Sequence, residues 1–114
     1  MPQVNRISRG EVSVGAIQGS TGDMVYGLDF GTGTIDPASI NATTRGSATF
    51  TLTGAKTTDM IIVNPPADLN DDLIFCGATI TAADTVTIYL YNPTGSAIND
   101  TSRTFSYMWI DMTA

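Results

Sequence analysis

Residues 85 to 91 read TVTIYLY, and the odd-numbered positions of this stretch are threonine or tyrosine while the even-numbered ones are aliphatic. Val86, Ile88 and Leu90 therefore share one face, because successive side chains of an extended strand point to opposite sides. β-Branched and aromatic residues also fit a pleated, half-buried surface. The stretch predicts a β-strand that turns its aliphatic face into a hydrophobic core.

The same alternation extends outward from this strand. Residues 47 to 53 read SATFTLT, so Phe50 and Leu52 are expected to join Val86, Ile88 and Leu90 in the core. Met60 to Val63 is apolar on both faces, which predicts a central strand covered on both sides. Other strands are predicted at residues 11–15, 24–30, 73–81 and 104–112.

Turn-forming residues separate these segments. Loops are predicted at residues 19–23 and 31–34, which are rich in glycine, and chain reversals at Asp36-Pro37, Asn64-Pro65-Pro66 and residues 92–95. About seven to eight short strands with regular turns predict an all-β fold, an antiparallel β-sandwich of which the jelly roll is one form. The 114 residues fit one domain, 1–114, with residues 1–9 as an extended N-terminal arm.

Composition argues against catalysis and against several partners. The chain has no histidine, which removes the commonest general base and metal ligand, so we expect no enzyme and no cofactor. Its net charge of −6 disfavours nucleic acid as a partner. No apolar run is long enough to span a membrane or to form a leader, which predicts synthesis in the cytoplasm. Cys76 lies in an apolar run and is predicted to be a small buried side chain.

Two short segments could carry chemistry. The acidic stretch 68–72 offers oxygen ligands of the kind calcium prefers, but it lacks the glycine and distal glutamate of a helix-loop-helix calcium loop. We favour a loop whose Asp and Asn side chains bind their own backbone, and we expect no metal. A pair of catalytic carboxylates is disfavoured because Glu11 is the single glutamate.

Aromatic and methionine side chains suggest surfaces for partners. Tyr89 and Tyr91 fall on the outward face of their strand. The last strand is apolar on both faces, and a small sandwich has one interior, so something else must cover one of them. Either another part of the chain or an interface would do so, and exposed rings could alternatively stack on sugars. The two faces of the last strand are Phe105, Tyr107 and Trp109 on one side, and Met108, Ile110 and Met112 on the other.

One part of the chain resembles a known family. Residues 64–69 read NPPADL and residues 82–92 read AADTVTIYLYN, and the likeness extends over residues 46–107. This pattern is similar to small virion proteins of tailed bacteriophages. The resemblance implies a capsid decoration (cement) protein on the surface of the virion, made in the host cytoplasm, with structural rather than catalytic residues.

A decoration protein would bind the major capsid protein and stabilise the assembled head. We expect a homo-oligomer, preferably a trimer, because capsids offer local threefold sites. The alternative is a fibre or spike tip domain that binds a host receptor or glycan. The arm would contribute its basic residues to the acidic domain's contact with a partner. The candidate partner-binding residues are Arg6, Arg9, Tyr89, Tyr91, Met108, Trp109, Ile110 and Met112.

Overall fold

The computed structural model describes residues 17–18 and 24–112, and in them the fold is all-β with no helix. Six antiparallel strands of five residues or more form two three-stranded sheets. Two shorter segments pair as a separate ribbon. The strands are β1 (Ile17–Gln18), β2 (Met24–Val25), β3 (Gly27–Ile35), β4 (Thr44–Thr51), β5 (Met60–Asn64), β6 (Ile74–Ala82), β7 (Thr85–Asn92) and β8 (Arg103–Asp111).

The strand order is β3-β8-β5 in the first sheet and β4-β7-β6 in the second. The chain crosses between these two sheets after β3, β4, β5 and β7, so β6 and β7 are the one hairpin within a three-stranded sheet. Asp84 takes a φ of 63° in that hairpin turn, in the left-handed region that Asp tolerates better than most residues. In these strand orders, β8 is the central strand of the first sheet and β7 that of the second.

The core lies between the two sheets. All five predicted core residues are buried, with Phe50 and Leu52 at 8% and 6% exposure and Val86, Ile88 and Leu90 at 0%. The first sheet contributes Ile35 and Phe105 from its inner face. The rings of Phe50 and Tyr107 stack with centroids 5.7 Å apart, which joins β4 to β8 across the interior. The alternation in residues 47–53 and 85–91 thus predicts the core correctly.

The predicted glycine loop at 31–34 is wrong, because these residues lie inside β3. The two glycines give space to aromatic rings on the inner side of the sheet. A Cβ on Gly33 would lie 2.5 Å from the Phe50 ring, and one on Gly31 would lie 2.5 Å from Tyr107 Oη. Glycine therefore marks close packing here rather than a break in the strand.

The prediction of a central, doubly covered strand at Met60 to Val63 is also wrong. β5 is the last strand of its sheet and pairs with β8 alone among the described strands. Ile61 and Val63 pack against the core, but Met60 and Ile62 point outward with 53% and 54% of their surface exposed. An apolar run cannot distinguish a strand covered on both sides from one with an exposed apolar face.

Cys76, predicted to be buried, is exposed. The register of β6 against β7 shifts between Phe75 and Gly77, where Gly77 has a φ of 122°. Cys76 lies two residues after Ile74 on the same exposed side of the strand, whereas Phe75 between them packs against the core. The apolar character of the run therefore hides its alternation, and the bulge interrupts that alternation only after Cys76.

A buried amide closes one end of the sandwich. Asn92, at 0% exposure, ends β7 and sends its Nδ2 toward three backbone carbonyl oxygens, those of Ile40 (2.9 Å), Asn41 (3.2 Å) and Ser96 (2.8 Å). Its Oδ1 accepts from the backbone N and the Oγ1 of Thr94, at 2.9 and 2.7 Å. The turn predicted at residues 92–95 is thereby tied to the connection between β3 and β4.

Leu90→Ala should lower the free energy of unfolding by about 2–5 kcal/mol, because it removes a fully buried side chain and leaves a cavity. Ile74→Ala is the matched control in the same sheet, since Ile74 is 52% exposed. We expect it to cost less than about 1 kcal/mol. Urea unfolding measures both, and equal losses for the two variants would contradict the assigned inner face.

Asn92→Asp should cost about 3–5 kcal/mol at pH 7, because a buried carboxylate would face carbonyl oxygens in place of an N–H donor. Those surroundings raise the folded-state pKa of the new acid above its unfolded value. The variant should therefore be most stable at low pH and lose stability as the pH rises above about 4. Asn41→Asp, at an exposed position, is the control. Urea unfolding at several pH values tests this, and a pH-independent loss would contradict it.

Candidate docking surface

The outer face of the first sheet carries a regular apolar grid. The strand register aligns Leu28 of β3 with Ile110 of β8, and Ile110 with Met60 of β5. The next row on the same face aligns Phe30 of β3 with Met108 of β8, and Met108 with Ile62 of β5. Because neighbouring strands lie about 4.8 Å apart, each row is a continuous apolar strip. We call these six residues the apolar patch: Leu28, Phe30, Met60, Ile62, Met108 and Ile110.

The apolar patch is open to solvent in the described structure. Phe30 is 68% exposed and Leu28 is 38% exposed. Met108 and Ile110 of β8 are half-buried between their neighbours. A shallow depression of about 320 Å³ lies beside Phe30, Ile62 and Met108. An exposed apolar surface of this kind commonly marks a site of interaction.

The rows that continue the face from the patch are polar but uncharged. Thr32, Ser106 and Asn64 form the next row, and Thr34 and Thr104 follow, joined by a hydrogen bond of 3.0 Å between their hydroxyls. No Asp, Glu, Lys or Arg of β3, β5 or β8 is among these outward positions. The chain's net charge of −6 is therefore carried elsewhere.

Trp109 lies on the opposite side of β8 from Met108 and Ile110, packed against the core. Its Nε1 donates to Asp59 Oδ2 at 3.0 Å, and the backbone N of Met112 donates to Asp59 Oδ1, also at 3.0 Å. Burial opposes ionisation of Asp59, but the hydrogen bonds from Met112, Trp109 and Lys56 outweigh it and lower its pKa. The contacts of Trp109 and Met112 with Asp59 thus fix the end of β8 to the loop before β5, on the side of β8 opposite the patch. Met112 directly follows β8 and is half-buried.

Tyr89 and Tyr91 lie on the outer face of the other sheet, as predicted, and both are half-buried. The guanidinium of Arg45 sits 4.6 Å from the centroid of the Tyr89 ring, a cation–π contact that covers part of it. The two tyrosines are thus separated from the apolar patch by the whole thickness of the sandwich. Arg6, Arg9 and Glu11 lie outside the described residues, as do the strand predicted at 11–15 and the loop at 19–23.

The acidic stretch 68–72 makes a hydrogen bond to its own backbone and an ion pair with a neighbouring strand. Asn70 Oδ1 accepts the backbone N–H of Asp72 at 2.9 Å, the local turn that its composition predicts. Asp68 forms an ion pair with Arg103 at 3.2 Å, and Arg103 in turn makes a two-point contact with Asp100. The hydrogen bonds from Arg103 lower the pKa of Asp100 in spite of its burial. In residues 17–18 and 24–112 no group of three His, Cys, Asp or Glu side chains could hold a metal ion.

Four of the six patch residues were not among the partner-binding residues predicted from the sequence. Met60 and Ile62 were assigned to the interior, and Leu28 and Phe30 only to a strand. The available signal was the alternation of Leu28 and Phe30 with Gly27, Asp29 and Gly31, which places two large apolar side chains on one face of β3. That signal acquires meaning only when β3 is known to lie beside β8.

Comparison of the chain with protein-family models, with curated proteins and with solved structures finds no match. No helix in the described residues is long and apolar enough to cross a membrane. The class of protein that the structure itself defines is an all-β chain of two packed antiparallel sheets, with an exposed apolar patch on one of them.

The lowered pKa values of Asp59 and Asp100 predict acid sensitivity. A carboxylate whose pKa is lower in the folded state contributes stability above its unfolded pKa, near 4, and loses that contribution as the pH falls through the folded value. The free energy of unfolding should therefore decrease from about pH 5 to pH 3. Asp59→Asn should flatten this decrease in part, leaving the contribution of Asp100.

Trp109→Phe is the matched variant, because it keeps an aromatic ring against the core while removing the indole N–H donor to Asp59. It should flatten the same pH dependence less than Asp59→Asn does, since the backbone donors to Asp59 remain. Urea unfolding between pH 3 and pH 7 measures all three proteins. An unchanged slope in Asp59→Asn would show that Asp59 does not contribute.

Proposed function

We propose that this chain is a structural protein of a tailed-bacteriophage particle and acts as a capsid decoration (cement) protein rather than as an enzyme. The observation that carries the proposal is the apolar patch on an uncharged sheet face of an otherwise acidic domain. Such a surface suits burial in an assembly. The resemblance of residues 46–107 to small virion proteins supplies the particle, and the major capsid protein is the proposed partner on the virion surface.

The proposed action is stabilisation by selective binding. A protein that binds the assembled shell and not its separated subunits shifts the equilibrium toward the shell by mass action. Modest contacts suffice when many copies bind side by side, because linked contacts raise the effective affinity. A trimer placed on a local threefold site of the capsid is the proposed arrangement on the particle.

The proposed fold is a jelly roll, and the strand order supports it. Numbering the six sheet strands from one to six, the first sheet has the order 1-6-3 and the second 2-5-4. This order arises when a long antiparallel hairpin, in which strand 1 pairs with 6 and strand 2 with 5, is rolled so that these successive pairs fall in opposite sheets. A jelly roll of eight strands adds one further strand to each sheet.

Co-sedimentation with capsids tests the proposed function. The purified full-length chain should bind capsids of its phage that were prepared without this protein. Deleting residues 1–9 should abolish attachment, because the arm's Arg6 and Arg9 are two of the five basic residues of an acidic chain. Lys56→Gln, which removes a positive charge outside the arm, should bind as the unchanged protein does.

Far-UV circular dichroism would establish that the truncated chain remains folded. Full binding by the truncated protein would contradict a role for the arm. Failure of the full-length chain to bind capsids, together with binding to host cells, would reject the decoration proposal and favour the fibre or spike tip domain, with a receptor or glycan as its ligand.

A further inference from the structure

The apolar patch is uncharged over three adjacent strands, and this restricts the partners that fit it. Its six side chains and the bordering Thr32, Asn64 and Ser106 include no ionised group. A partner selected by charge would need complementary charges on this face, and the face supplies none. Shape and apolar area are the properties by which this surface can recognise a partner.

A second copy of the same chain meets those conditions. Two copies each carry a charge of −6, so they repel wherever their acidic surfaces approach. Contact through the outer face of the first sheet avoids this repulsion, because none of the acidic side chains of β3, β5 and β8 lies on that face. The strands of the second sheet contain no Asp or Glu either, so low charge admits the outer face of either sheet, and the exposed apolar side chains favour that of the first.

The available area is adequate for such a contact. From the exposed fractions of Leu28, Phe30, Met60 and Ile62, which are 38–68%, the patch offers on the order of 450 Å² of apolar surface. The bordering hydroxyl and amide rows bring the face to roughly 650 Å² per copy and about 1,300 Å² for a pair, near the lower end of specific protein interfaces. Sheets also pack readily face to face, with interdigitating side chains at about 10 Å separation.

We propose that the apolar patch binds the same patch of a second copy, so that the chain forms a twofold dimer through the outer face of the first sheet. A flat patch that contacts itself is covered completely by one partner related by a twofold axis. The inference rests on the proposed role in assembly and names a partner for the surface on which that role depends. It places a pair, rather than a trimer, as the unit formed by the free protein.

Analytical ultracentrifugation of the full-length chain over a wide concentration range tests the proposal. The mass should rise from the 12.0 kDa of one chain to twice that value, in a reversible manner. Phe30→Asp and Ile62→Asp should each weaken the dimer at least 100-fold, because each places a charge within the contact. Both side chains are more than half exposed in one chain, so the variants should still fold.

Thr49→Asp is the matched control. Thr49 is an exposed position in a strand of the other sheet, so the same charge there should leave the dimer dissociation constant within about threefold. Far-UV circular dichroism and thermal unfolding of all the variants would establish that they are folded. A loss of dimer confined to the two patch variants supports the proposal.

Several results would overturn it. A single chain at every concentration would mean that another partner or another part of the same chain covers the patch. A trimer would exclude the twofold contact, and a dimer unaffected by Phe30→Asp and Ile62→Asp would place the interface elsewhere. A dimer that fails to bind capsids would leave this inference standing while rejecting the decoration function, so the two proposals fail separately.

Discussion

The buried amide of Asn92 is the constraint on which the closed end of the sandwich depends. It lies at the end of a central strand, and its Nδ2 and Oδ1 are satisfied by backbone or side-chain groups of four other residues. Each of those residues belongs to a connection between the two sheets. The adjacent bridge between Ile40 and Ile98, with hydrogen bonds of 2.9 Å in both directions, fixes the same two connections to each other. Removing the amide would leave several buried polar groups unpaired at once.

At the opposite end of the sandwich, carboxylates rather than an amide bind the backbone of the connecting loops. Asp84 accepts the backbone N–H of Gly54 at 2.8 Å, and Asp59 accepts those of Lys56 and Met112. Both acids satisfy backbone groups in loops that cross from one sheet to the other. These contacts join the loops at both ends to the chain's own backbone, and so hold the two sheets in place.

The parts of this fold that the sequence predicts are those decided by local alternation. Phe50, Val86 and Ile88 occupy the core because period-two patterning alone assigns their face. Gly31 and Gly33 were assigned to a loop, since their role depends on rings of Tyr107 and Phe50 that are distant in the sequence. Likewise a central and an edge position read alike in a short apolar run. What the pattern lacks is the identity of the neighbouring strand, and the apolar patch exists only because β3, β8 and β5 lie side by side.

Two kinds of surface on the first sheet could drive association: the edges with which no described strand pairs, and the outer face. The edge strand β5 is short, follows Asp59 and ends directly before Pro65 and Pro66, which have no N–H to donate to another strand. The opposite edge, β3, includes three glycines and Asp29, which weaken pairing with a further strand. Pairing of one edge with the opposite edge of the next copy would continue without limit, whereas a twofold contact between two identical faces closes after one partner. The sequence thus weakens the edges while leaving six large apolar side chains on the face, and this contrast supports the proposed association through the face.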